Sequence, residues 1–337
     1  MAGTGTAHLR TATTPMLQVD DLVVEFPSRG GHTVHAVSGI SVDVIAGETL
    51  SLVGESGCGK STTGRAIVQF PRPTKGRVTF NGKVLTEMSG RQLRGIRPKF
   101  QMIYQDPISS LNPRRTIREI VEEPLRVWQP KLSKAERDGV VNRVFESVGI
   151  DPAYGSRYPW EFSGGQCQRV CIARALVLEP LMLICDEPVS ALDVSVQAQI
   201  INLLEEMKLQ HGLTMIFISH DLAVVRNVSD RVAVMYLGKL CEVAPPESLY
   251  ATPAHPYTRA LLSAVPVPDP NSVPMASELI SGELPSPMDP PTGCRFRTRC
   301  PAAQDRCAAE EPVMAPAPGR DDHYVACHFP LSLAVSN

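Results

Sequence analysis

The sequence predicts an α/β fold: a parallel core sheet, an antiparallel β layer before it, a helical insert and a loop-rich tail. Three observations carry this. Short apolar runs of strand length, Thr49 to Val53, Leu181 to Cys185 and Leu213 to Ser219, end at a glycine, at Asp186-Glu187 and at His220-Asp221; runs apolar on both faces mark buried parallel strands. Between the last two, Val196, Ile200, Leu203, Leu204 and Met207 recur at helical spacing and Gly212 follows as a stop, giving the strand–helix–strand order of a parallel core. Earlier, Asn81-Gly82 separates two β-rich runs within Arg77 to Leu85, a strong hairpin signal.

In chain order, residues 1–15 read as a disordered leader. Met16 to Val24 and Val34 to Val44 cluster β-branched residues as strands do. A charged, more helical insert spans about 117–151, within a helical region expected at about 106–175. From Pro245 the pattern dissolves: 17 of the 30 prolines lie at or after that residue. The domain reading is therefore an α/β domain over 16–250 and an extension over 251–337.

Composition limits the function. Lys+Arg is 33 and Asp+Glu 35, a net charge of −2, unlike the basic balance of nucleic-acid binders, so no nucleic-acid partner is expected. No stretch approaches the ~18 consecutive apolar residues of a membrane helix, and the N-terminus lacks the apolar core of a signal peptide. The chain is expected on the cytoplasmic side, with any membrane role carried by partner chains.

Gly54-Glu55-Ser56-Gly57-Cys58-Gly59-Lys60-Ser61 matches G-x-x-x-x-G-K-[ST], with a strand before it and a helix from Thr62 after it, the context the motif needs. Glycines let the backbone curl so that N–H groups converge on phosphate oxygens, and the helix adds its positive end. Lys60 is placed for the β- and γ-phosphates and the Ser61 hydroxyl for Mg²⁺. Asp186, ending an apolar strand, is the second Mg²⁺ element, and Glu187 the carboxylate that orients or deprotonates the attacking water. Cys58 is a candidate for sensitivity to thiol reagents.

Phe162-Ser163-Gly164-Gly165-Gln166, Gln105 in YQDP, Ser190-Ala191-Leu192-Asp193 and His220 in ISHD, in that relation to the phosphate loop and Asp186, resemble the ordered motif set of ATP-binding cassette (ABC) ATPases. VGESGCGKST, SSLNPRRTI, SALDVSVQAQIINLL, HPYTRALLSAVPVPDP and SGELPSP…PPTGCRFRTRC are similar to the ATPase subunits of dipeptide/oligopeptide importers, including their C-terminal extension. Departures are small: Phe162 stands where Leu is usual, and Cys167 and Cys171 where polar and small residues are common.

The resemblance implies ATP with Mg²⁺ as ligands, and ATP hydrolysis coupled to peptide import. It implies catalytic roles for Glu187, His220 and Lys60, and a contribution of Gln105 to the metal site and to signalling toward the permease. Ser163, Gly164, Gly165 and Gln166 would cap ATP held by a second, paralogous ATPase in a head-to-tail dimer, with Asp193 in the D-loop. Two transmembrane permease chains and an extracytoplasmic binding protein complete the implied complex. Phe26 is the candidate to stack on adenine, a core or loop role being the alternative and His35 the other ring nearby. Alternative functions are an importer for nickel or another small solute, and a soluble non-transport ABC ATPase; one cassette without a heptad run or basic stripe argues against the latter.

Four of nine cysteines, Cys294, Cys300, Cys307 and Cys327, fall in the last 44 residues. Stable disulfides are not expected in a reducing compartment. The spacing C-x5-C-x6-C-x19-C lacks the C-x2-4-C pairing of structural zinc sites. The resemblance implies a [4Fe–4S] cluster held by these four, with zinc, or free or disulfide-linked cysteines, as the alternatives.

Overall fold

The computed structural model describes residues 5–264 and 282–332; residues 1–4 of the leader and 265–281 and 333–337 of the extension lie outside them. In chain order the elements are β1 (Leu17–Pro27), β2 (Thr33–Val44), β3 (Thr49–Val53), α1 (Lys60–Ile67), β4 (Lys75–Phe80), β5 (Lys83–Val84), α2 (Gly90–Ile96) and β6 (Phe100–Ile103). They continue as α3 (Ile117–Trp128), α4 (Lys134–Ser147), α5 (Gly164–Leu176), β7 (Met182–Asp186), α6 (Val194–His211), β8 (Thr214–Ser219), α7 (Leu222–Val228), β9 (Arg231–Tyr236) and β10 (Lys239–Ala244). α8 (Pro246–Ala251) leads into the extension, which adds α9 (Pro256–Ser263), α10 (Asp305–Ala309), β11 (Ala315–Pro316) and β12 (Tyr324–Val325). Contacts divide the chain into two units, Met1–Glu87 with Ser219–Asn337, and Met88–Ile218.

The first unit carries the antiparallel sheet β2-β1-β4-β5. Its β4–β5 turn is the expected Asn-Gly hairpin, with φ of 46° at Asn81 and 72° at Gly82, the two positive values a type I′ turn requires. In the same unit β3 runs parallel to β9, and β9 is antiparallel to β10. All five residues of β3 and all six of β10 are buried.

The extension is not a body of its own. Its strand β12 pairs antiparallel with β10 (Glu242↔Val325) and with β11. The reason lies at Glu242, which is fully buried. Its carboxylate accepts from the Ala254 N–H at 2.6 Å and the His255 N–H at 2.9 Å, and meets His323 Nε2 at 2.5 Å. His323 Nδ1 is 2.8 Å from Ser248 Oγ. A buried charge is tolerated only with such partners, and here the partners come from the extension.

The leader also departs from expectation. From residue 5 its placement is described, and it is anchored: His8 is buried with Nε2 2.6 Å from the Ser41 carbonyl. Arg10 bonds Asp43 at 2.6 Å and Glu48 at 2.5 Å, and both carboxylates are shared with Arg231 at 3.2 Å. Charge pairing too distant in sequence to be read locally orders a segment of small polar residues.

In the second unit β6, β7 and β8 are parallel neighbours. Every residue of β7 and β8 is buried, as their unbroken apolar runs predict. Helices α3 and α4 start at capping boxes, Thr116 with Glu119 and Ser133 with Glu136, each satisfying helix-end donors. Ile117, Val121, Leu125, Val141 and Phe145 are fully buried among the helices.

Candidate nucleotide-binding site

In the first unit β3 stops at Val53 and the chain curls through residues 54–59 into α1. Gly54 and Gly59 have φ of 149° and 105°; a Cβ on Gly54 would lie 2.1 Å from the Met235 carbonyl oxygen, and one on Gly59 2.2 Å from that of Ala36. Backbone oxygens cannot give way by that much, so both positions require glycine. Lys60, buried, donates from Nζ to the carbonyls of Gly54 at 2.7 Å and Glu55 at 2.9 Å. This closes the loop around its own ammonium. Ser56 and Gly57 stand exposed at its rim, while Ser61 and Thr62 lie on the first turn of α1, the positive end of the helix.

Cys58 is 1 % exposed and burial pushes its thiol pKa up. Reactive cysteines are accessible and thiolate-prone, so the expected sensitivity to thiol reagents has no support in its surroundings. His220 follows β8 and is exposed. Phe26 near the end of β1 is 37 % exposed and pairs opposite Val34, so a core role is excluded. His35, the other candidate ring, bonds Glu25 at 2.9 Å.

In the second unit Asp186 ends β7 fully buried. Glu187 follows with φ 48°, a left-handed conformation uncommon for a non-glycine residue, its N–H donating to the Ile218 carbonyl at 3.0 Å. Its carboxylate accepts from Gln105 Nε2 at 2.9 Å, so the two residues read separately from the sequence are brought together. Ser163, exposed, is the N-cap of α5: its hydroxyl accepts from the Gln166 N–H at 3.3 Å, and Gln166 Oε1 accepts from the Ser163 N–H at 2.9 Å. A Cβ on Gly165 would come within 2.5 Å of Val196 Cγ1, and one on Gly164 within 3.4 Å of Leu192 Cδ2. The signature is thus a tight helix start that offers backbone N–H groups. Asp193 caps α6, accepting from Val196 N–H at 3.0 Å and Ser195 Oγ at 2.7 Å, and the Ser195 bond leads in holding its carboxyl below the usual range. The carboxylate of Asp186 and the hydroxyl of Ser61 are hard oxygen donors, the kind Mg²⁺ prefers.

Two residues of the nucleotide loop's surroundings escape a motif reading. Tyr257 Oη accepts from the Glu55 N–H at 2.9 Å, and Arg299 bonds the Glu55 carboxylate at 2.9 Å. The only sequence signal is that both lie in the segments HPYTR and CRFRTRC.

The four late cysteines line one cavity in the first unit, with His255, Phe296, His328 and Phe329. All are free thiols, which removes the disulfide alternative. Burial raises Cys294 to about 11 and Cys327 to about 12. Among the described residues no three His, Cys, Asp or Glu form a group able to hold a metal ion, so neither the zinc alternative nor the iron–sulfur cluster finds a preformed ligand set here.

Burial lowers the His255 pKa to about 4, against a smaller opposing pull from Glu242. A group depressed in the folded state binds its proton first in the unfolded chain, so stability is full above about 6.5 and falls as pH drops toward 4. We expect a loss of about 3 kcal/mol over that window, read as a falling denaturant midpoint. His255→Asn retains a side-chain acceptor for the Tyr257 N–H (3.0 Å in the wild type) and should flatten the profile; an unchanged slope would refute the assignment.

A phosphate loop of this form, an Asp-Glu pair closing a buried strand, and a glycine helix start capped by serine occur together in one class of P-loop protein, the ATP-binding cassette ATPase. The family model for ABC transporters matches residues 37–190, and that for the oligopeptide/dipeptide transporter C-terminal region matches 241–307. The chain belongs to this family, as an ABC-type ATPase of the oligopeptide/dipeptide transporter kind. It is 51 % identical over 321 residues to the oligopeptide transport ATP-binding protein OppF of Escherichia coli, covering 93 % of this chain and 95 % of that one. It is 49 % identical to the putative oligopeptide transport ATP-binding protein YkfD of Bacillus subtilis, covering 94 % and 95 %. Among solved structures, the ATP-binding cassette MJ0796, a dimer in a post-hydrolysis state bound to ADP and Pi, matches with a TM-score of 0.63 and 27 % identity, over 68 % of this chain and 99 % of that one.

Proposed function

We propose that this chain is the ATP-hydrolysing subunit that energises import of oligopeptides through a membrane ABC transporter. The observation that carries this is the pairing of a complete cassette with an extension matched by the oligopeptide/dipeptide C-terminal family. No helix among the described residues is long and apolar enough to cross a membrane, so translocation falls to permease chains, with this subunit at their cytoplasmic face. An extracytoplasmic binding protein would deliver the peptide.

Each residue's role follows from its chemistry. The N–H groups of residues 57–62 and the Lys60 ammonium bind phosphates; Ser61, Asp186 and Gln105 serve the Mg²⁺. Glu187 takes the proton of the attacking water and His220 stabilises the γ-phosphate. Ser163, Gly164 and Gly165, exposed or half-buried at the start of α5, cap ATP held by a second, paralogous cassette, with Asp193 beside them. Phe26 presents a ring face for adenine. Two bound nucleotides favour the closed dimer, and hydrolysis releases it.

We also propose that Cys294, Cys300, Cys307 and Cys327 hold a [4Fe–4S] cluster. Four free thiols lining a common cavity are the soft donors that an iron–sulfur cluster takes. Bound there, it would supply a cross-link for a loop-rich segment. Anaerobically purified chain should contain iron and absorb near 400 nm; absence of both would overturn this part. For transport, the chain co-expressed with its neighbouring permease genes and reconstituted in vesicles should show ATPase activity stimulated by an oligopeptide-loaded binding protein. Stimulation by nickel-loaded binding protein instead would replace the substrate reading.

A further inference from the structure

The second residue of the phosphate loop is held from outside at two points, both on the extension. Glu55 donates its N–H to Tyr257 Oη at 2.9 Å, and its two carboxylate oxygens lie 3.1 and 2.9 Å from Arg299 Nη1. Arg299 also donates to Tyr236 Oη at 3.4 Å, with its guanidinium 5.8 Å from the centre of that ring. The Arg299 side chain is 9 % exposed, so solvent screens the pair far less than an ordinary surface pair. Three residues earlier, Phe296 packs on Tyr236 and Tyr257 with centroids 5.2 and 5.3 Å apart. The neighbouring Arg295 donates to the Leu237 carbonyl, and the Gly238 N–H donates to the Cys58 carbonyl at 2.8 Å. Phe296 and Arg299 lie between Cys294 and Cys300, whose thiols line the four-cysteine cavity.

We propose that residues 294–300 form a regulatory strap on the phosphate loop. Arg299 is a positioning residue that neutralises Glu55, and nucleotide affinity depends on how Cys294 and Cys300 anchor the segment that carries it. Glu55 is a carboxylate inside a loop built for a polyanion; unpaired, it repels the ligand, and the repulsion is strong where water is scarce. A change at Cys294 or Cys300 that draws Arg299 away restores that charge. Because the thiol cavity and the phosphate loop share one element, coupling runs both ways, and bound nucleotide stabilises the strap in turn. The inference rests on the phosphate-loop reading and on the placement of the thiols, whatever their cavity holds.

The test uses the full chain, with MgATP affinity by calorimetry and ATPase kinetics in parallel. Arg299→Gln is expected to weaken MgATP binding about tenfold and raise KM alike, with kcat within about twofold. Adding Glu55→Gln should return affinity to within about threefold of wild type, a rescue that a packing role for Arg299 does not produce. Cys300→Ser should weaken binding about threefold to fivefold in the wild type and have no further effect in the Glu55→Gln/Arg299→Gln chain. Wild-type affinity in Arg299→Gln, or no rescue by the second change, overturns the charge coupling. Equal effects of Cys300→Ser in both backgrounds, or none in either, overturn the strap. Should Arg299→Gln not fold, Arg299→Lys, with one point charge for a fork, must give an intermediate affinity for the proposal to stand. Iron content, read on the same samples, judges the cluster separately, and complete loss of binding in Lys60→Ala checks the phosphate loop itself.

Discussion

Glu187→Gln is expected to lower steady-state ATP hydrolysis by about two to four orders of magnitude, the usual worth of a general base, while MgATP affinity stays within about threefold. In the proposed role the residue is held by backbone geometry. Its φ of 48° turns the chain sharply at the end of β7, and the bond from its N–H to the Ile218 carbonyl holds the turn. Such conformations persist where the surroundings over-determine them. Gln105 donates to the carboxylate at 2.9 Å, which helps fix its orientation. Glutamine has nearly the same shape and cannot take a proton, so the change isolates chemistry from binding. Phosphate release and equilibrium nucleotide binding, measured on the same preparation, check it; hydrolysis at the wild-type rate would remove Glu187 from the mechanism.

Glu242→Ala is expected to destabilise the first unit by about 3–5 kcal/mol, the cost of removing one partner of a buried pair. Three groups lose their acceptor at once: the Ala254 and His255 N–H groups and His323 Nε2. All are in a fully buried setting where no water replaces the carboxylate. Because His323 precedes β12 and Ala254 precedes α9, the loss should fall on the docking of the extension. Limited proteolysis should cut within the extension at far lower protease concentration than in the wild type, and the thermal midpoint should fall by roughly 10 °C. A midpoint within a degree of wild type would show that the extension is held by its strand pairing alone.

Much of the site was legible because its chemistry is local. The phosphate loop needs glycine at 54 and 59 for reasons of backbone geometry, and those reasons leave a fixed spacing in the sequence. The same holds for Asp186 at the end of an apolar run and for Ser163 with Gln166, a capping box that is also the signature. The Asn81-Gly82 hairpin was readable for the same reason. The leader and the extension were not. Arg10 finds Asp43 33 residues away, and Glu242 finds His323 81 residues away; neither pairing leaves a periodicity. Cys58 misled in the opposite sense, since a thiol inside a ligand loop suggests reactivity until its burial is known.

The amino-acid sequence alone determined that this chain is a P-loop ATPase of the cassette type, because each motif encodes a backbone conformation over fewer than ten residues. It also determined that four cysteines are set apart in the tail, since spacing is a property of the chain. Tertiary structure decided what the tail touches. Arg299 reaches Glu55 across 244 positions and Tyr257 across 202. The reason is physical: one ion pair between distant residues leaves no local pattern, and it forms where Phe296 packs on Tyr236 and Tyr257.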